Sequence, residues 1–155
     1  MGITVGVNSL SVIHKDSGGI SIAFPDVCKT PSPAGPVPIP YPNIAKSTDA
    51  DKCSKKVKVD GNPVCLKDSV FSKSSGDEGG TAGGMVSGKT GGKAEFVSYS
   101  FDVKIEGKNV PRSMDTMFHN NKNTPPAPII QPPMVGMGMD EDPEISKLNI
   151  DWNND

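Results

Sequence analysis

Two histidines and three cysteines, His14, His119, Cys28, Cys53 and Cys65, are the side chains of this sequence best suited to chemistry. Imidazole and thiolate form a zinc donor set, and zinc gathers four of them in a tetrahedral shell. Their spacing matches no finger or ribbon, and all lie in irregular stretches near turns. Two readings therefore stand side by side: a structural ion, or surface imidazoles with small buried thiols. A nucleophilic pair can be drawn from Cys28 and either histidine, but no local signature surrounds the thiol and a run of prolines follows it. Gly83–Thr90, GGMVSGKT, formally satisfies the phosphate-cradling pattern G-x-x-x-x-G-K-[ST]. That loop works only between a buried strand and a helix N-terminus. Here SSGDEGGTA precedes it, and Gly91-Gly92 would cost a first helical turn about 1 kcal/mol each. Nucleotide binding is set aside.

The elements that must position these groups begin with a repeat. Val57–Ser69, VKVDGNPVCLKDS, returns as Val103–Asp115, VKIEGKNVPRSMD. Each copy opens with alternating apolar residues, reverses at Asp60-Gly61 or Glu106-Gly107, and starts its return at Val64 or Val110. Two equivalent hairpins predict a small, mainly β fold made by stacking a repeated unit. Ile3, Val5 and Val7 alternate, as do Ile20, Ile22 and Phe24, which predicts a pair of strands joined through His14 and Asp16. Six prolines from Pro31 to Pro42 exclude a sheet interior and predict a stiff strap carrying Val37, Ile39 and Tyr41. Ile44–Lys56 is polar, with room for one helical turn, and Ser74–Gly92 is a glycine-dense loop. Val97, Tyr99, Phe101, Val103 and Ile105 predict one long strand. After Asn120 the composition becomes Pro- and Met-rich, which divides the chain into a domain at 1–120 and an irregular tail at 121–155. In that tail Leu148 and Trp152 fit either a helical or a strand face.

With 155 residues and net charge −2, the chain is one domain plus a tail, with no charge basis for binding nucleic acid or a membrane surface. Aromatics are 5% and apolar residues 34%, too few for a generous core, so a metal, disulfides or a partner surface is expected to brace it. Three widely spaced cysteines do not make a secreted disulfide framework. The N-terminus MGITVGVNSL has no signal-peptide pattern, which predicts synthesis in the cytoplasm and export, if any, by another route.

Three runs carry a resemblance: ISIAFPDVCKTPSPAGPVPIPYPNIA (Ile20–Ala45), SSGDEGGTAGGMVSG (Ser74–Gly88) and YSFDVKIEGKNVPRSMDTMFHN (Tyr99–Asn120). Together they closely resemble the PAAR-like family of type VI secretion spike-tip proteins, from about Ile3 to Asn120. The resemblance implies a small cone of short strands and Pro/Gly-rich loops on a triangular base, capping the trimeric VgrG spike, with zinc near the point. It also implies secretion by a type VI machine and a non-enzymatic, structural role in membrane puncture. An effector or chaperone would dock through the tail. His14, Cys28 and His119 match the family's metal positions. For the fourth ligand, Cys65 stands at the repeat position of Pro111, with Asp26 or a water as the alternative. The rival reading is a Cys/His-dependent toxin or hydrolase.

Overall fold

The computed structural model describes residues 5–8 and 10–131. Glycine and proline favour turns over helix, and the chain is mainly β; its helical element among the described residues is a 3-10 turn at Ser47–Asp49. Among those residues no helix is long and apolar enough to cross a membrane.

The strands run β1 (Gly6–Val7), β2 (Leu10–Ser11), β3 (Ile20–Thr30), β4 (Val37–Lys46), β5 (Ala50–Asp51), β6 (Lys58–Val59) and β7 (Asn62–Pro63). They continue as β8 (Val70–Phe71), β9 (Ala94–Phe96), β10 (Lys104–Ile105), β11 (Lys108–Asn109), β12 (Thr116–Phe118) and β13 (Ala127–Ile130).

Both repeated hairpins form as the sequence predicts. β6 pairs with β7 and β10 with β11. Asp60 (φ 52°) with Gly61 (φ 81°), and Glu106 (φ 55°) with Gly107 (φ 77°), supply the two positive φ angles of a type I′ loop. A third copy, β1 with β2, turns at Asn8 (φ 54°). The equivalence extends to single hydrogen bonds. Val12 N–H donates to Val5 C=O at 3.2 Å, Val64 to Val57 at 3.2 Å and Val110 to Val103 at 3.1 Å. Two residues after each of those valines, the N–H of His14, Leu66 or Arg112 donates to the side chain three positions on, Ser17, Ser69 or Asp115.

The three hairpins also close on one another. Val12 bridges Arg112, His14 bridges Val64, and Lys67 N–H donates to Asn109 C=O at 2.9 Å. Each hairpin thus touches both others, and the ring has approximate threefold symmetry within one chain. Val7, Val12, Val59, Val64, Leu66 and Val110 are its buried centre, with Val57, Val103 and Ile105 packed against them.

The rest is a seven-stranded sheet in the order β4-β3-β13-β12-β9-β8-β5. A second core forms from Ile13, Phe71, Phe96, Met117 and Ile129, with Phe71 and Phe96 edge to face at 5.7 Å between centroids. The proline strap is the edge strand β4, as a donor-poor segment must be. Its Pro38, Pro40 and Pro42 alternate in step with Ile44, whose N–H points away from β3 to Ser75 C=O at 2.7 Å. The missing amides therefore face outward, and β4 keeps its pairing with β3.

Four expectations are revised. β3 pairs with β4 and β13, not with the first strand, which is used up by its own hairpin. The alternation of β3 was legible but its inner face was not: Ile22 (59% exposed) and Phe24 (62%) point outward, while Ser21, Ala23, Asp26 and Cys28 are buried. The proposed long strand 97–105 breaks, because Ser100 Oγ accepts the N–H of Val103 at 3.0 Å and competes with a ladder. Phe101 is left 89% exposed. Lastly, the sheet takes in β13, beyond the expected domain limit at 120, with Ala127 and Ile129 buried. The alternatives for Leu148 and Trp152 fall outside the described residues.

Candidate metal centre

In β3 the register shifts between Ala23 and Asp26. This bulge changes which side chains face inward, from odd-numbered Ser21 and Ala23 to even-numbered Asp26 and Cys28. β4 adds Asn43 from alongside. The glycine-dense loop lies against the second half of β3, with Lys29 N–H to Gly83 C=O at 2.8 Å and Met85 N–H to Val27 C=O at 2.9 Å, and it delivers Asp77. The turn after β12 adds His119, Asn120 and Asn123. The close approach explains two glycines: a Cβ on Gly80 would strike that of Cys28, and one on Gly84 would strike the Asn123 carboxamide.

The cluster is buried, with Asp26, Cys28, Asn43, Asp77, His119 and Asn120 at 0% exposure. Asp26 is surrounded by donors. Asn43 reaches its Oδ2 at 3.0 Å; Asn120 at 3.2 Å, Asn123 and the Cys28 thiol at 3.4 Å reach its Oδ1. The orientations of Asn120 and Asn123 are fixed from behind, since their carbonyl oxygens accept the N–H groups of Gly92 and of Val86 and Ser87. Burial opposes the charge of Asp26, but hydrogen bonds from Asp77, Asn123, Asn120 and Cys28 outweigh it and hold this carboxyl below the ordinary range.

Asp77 behaves oppositely. Burial, then the neighbouring Asp26, push it up to about 6. Its Oδ2 accepts from Gly91 N–H at 3.0 Å and Asn43 Nδ2 at 3.3 Å, while its Oδ1 is buried with no hydrogen-bond partner. Burial, with Asp26 and Asp77 alongside, pushes the Cys28 thiol up to about 12, so it is neutral. Ligand atoms of Asp26, Cys28 and Asp77 lie within 4.8 Å of one another, a group able to hold a metal ion. Carboxylate oxygen and thiolate sulfur are zinc donors, and an orphaned carboxylate oxygen in the interior is where a cation is worth most.

Of the four ligands expected from sequence, only Cys28 lies in this group. His14 Nε2 sits 3.3 Å from Asp60 Oδ2 and its Nδ1 accepts Asp16 N–H at 3.1 Å, so both ring nitrogens are engaged in the hairpin ring. His119 has Nε2 at 2.8 Å from Ser21 Oγ and Nδ1 at 2.8 Å from Asn43 Oδ1. Cys65 Sγ lies 3.6 Å from Cys53 Sγ. Asp26 had been named only as a substitute ligand. Asp77 was missed: in sequence it is one acid of a polar loop, and nothing local says that the loop carries it inside.

Comparison with known proteins then places the architecture. The family model for the Toxin PAAR-like domain matches residues 19–126. The chain belongs to that family. This bears out the PAAR-like resemblance drawn from the proline strap, the glycine loop and the second hairpin. The PAAR-like chain is also 41% identical over 146 residues to the DNase toxin Tse7 of Pseudomonas aeruginosa, an alignment covering 86% of this chain and 38% of that protein. No solved structure matches. The relative corrects one expectation: a protein sharing this PAAR-like region is an enzymatic toxin, so the region does not mark a non-enzymatic protein.

Proposed function

We propose that this PAAR-like domain is the tip of a type VI secretion spike, seated on the VgrG trimer and carrying a toxin with it across the target membrane. The observation that carries the reading is the ring of three equivalent hairpins. A single chain that meets a three-chain column needs three similar edges, and strand addition to such edges is a recurring mode of attachment. Tse7 supports the toxin half, being a DNase toxin related over this region. Delivery would follow export on the contractile machine, and the residues from 121 onward include the connection to effector or chaperone. The rival reading of a hydrolase built on Cys28 is not favoured, because that thiol is fully buried and held neutral. Mixed with its VgrG, the protein should elute as one complex with one chain per trimer by light scattering. No complex, or three chains per trimer, would overturn the reading.

Zinc belongs to the same proposal, held by Cys28, Asp77 and Asp26 instead of the two histidines. The ion would supply a structural cross-link between β3 and the glycine loop, with no part in catalysis. Cys28 and Asp77 must shed their protons to ligate, so zinc uptake should strengthen with rising pH. Elemental analysis should give about one zinc per chain, lost in Cys28→Ser; a value far below one in the native protein would remove the metal.

A further inference from the structure

We propose that Cys53 and Cys65 are a reactive dithiol that closes to a disulfide by exchange with a disulfide-bearing oxidant, whether a small molecule or a protein. Their sulfurs are 3.6 Å apart, so they need approach by only about 1.5 Å to reach bonding distance. The backbone holds the two segments side by side: Ser54 N–H donates to Val64 C=O at 2.9 Å, and Cys65 N–H to Ile13 C=O at 2.8 Å. Ser69 Oγ adds a bond to Lys52 C=O at 3.0 Å, fixing the segment before Cys53 against the turn after Cys65.

The two thiols have different access. Cys65 is fully buried, whereas Cys53 is half-buried and lines an open cleft of about 240 Å³ together with Lys15, Lys52, Ser54 and Pro63. The Cys65 thiol donates to Cys53, and this outweighs burial to bring Cys53 down to about 7. The hairpin ring supplies a second argument. The positions equivalent to Cys65 in the other two copies are Ile13 and Pro111, so the fold does not require sulfur there. A sulfur placed there, facing another sulfur, is available for chemistry.

The order of events follows from access. The Cys53 thiolate attacks one sulfur of the oxidant, forming a mixed disulfide and releasing a first thiol. Cys65 then loses its proton to solvent, attacks Cys53 Sγ and expels the second thiolate. The two protein thiols are oxidised by two electrons, and the oxidant's disulfide is reduced to two thiols. Cys28, buried without a thiol within reach among the described residues, stays reduced and serves as an internal control. This inference does not rest on the spike-tip reading.

The test uses the full chain, reduced, freed of reductant and incubated with oxidised glutathione near neutral pH. Expected are a loss of two hydrogen atoms by intact mass, a peptide linking Cys53 to Cys65, and a Cys28 that still alkylates on unfolding. The melting temperature should rise by several degrees on oxidation and fall back with dithiothreitol. Cys65→Val, which keeps the position apolar, should strand Cys53 as a stable glutathione adduct. A parent protein that keeps all three thiols free, or that stops at the Cys53 adduct, would overturn the proposal.

Discussion

Replacing Asn43 with leucine is expected to cost about 3–5 kcal/mol, the penalty of stranding buried ionisable groups, and to leave the protein close to unfolding. Asn43 is the contact between the two halves of the buried cluster. Its carboxamide N–H₂ donates to Asp26 and Asp77, and its oxygen faces His119 Nδ1. Leucine keeps the branched shape but is bulkier and offers neither donor nor acceptor, so two carboxyls and an imidazole lose a buried partner. Urea unfolding should show the midpoint collapse, while Asn62→Ala, which removes a turn contact on a hairpin surface, should stay within about 0.5 kcal/mol. Equal midpoints in the two variants would show that the cluster does not brace the fold.

The second large effect concerns acid, in protein stripped of metal. Burial pushes His119 down to about 4 from 6.5, so between those values protons bind the unfolded chain but not the folded one. Stability from this group is lost as pH falls, by up to about 3 kcal/mol. Asp77 has the opposite sign. Raised from 3.8 to about 6, it is protonated in the folded state while still ionised in the unfolded one. Its contribution is present at low pH and is lost as pH rises through about 6, again by up to about 3 kcal/mol. The two should nearly cancel, giving a flat melting temperature between about pH 4 and 6. Single substitutions should unmask them: Asp77→Asn should melt lower as pH falls across that window, and His119→Gln higher. Slopes of the same sign in the two variants would contradict this account. Asp26, held below its usual range, loses its contribution only at more acid pH.

What the sequence made legible follows from local rules. Asp60-Gly61 and Glu106-Gly107 announced their hairpins because a positive φ at the second position nearly demands glycine. The first hairpin turns at Asn8 without that glycine and passed unnoticed, although Val5, Val7 and Val12 keep the spacing of Val57, Val59 and Val64. The inner face of β3 was misread because apolar periodicity assumes that the greasy side is buried. Here the inside is a polar cluster, and the bulge at Phe24–Pro25 shifts the inward positions by one. Cys28 stood out in the sequence by its type, and it lies in the buried group with Asp26 and Asp77. Asp77 did not stand out, because its burial depends on a loop lying along a distant strand, a tertiary event with no periodic trace.

The outward prolines of β4 bear on how the protein fares before it is used. An approaching strand would find carbonyls at Pro38 and Pro40 but no amides to complete a ladder, and further on it would find Gly76 against the Pro42 carbonyl and Ser75 already paired with Ile44. Sheet edges left open are where copies zip into fibres. With this flank barred to newcomers, copies of the protein cannot polymerise along it even at high concentration.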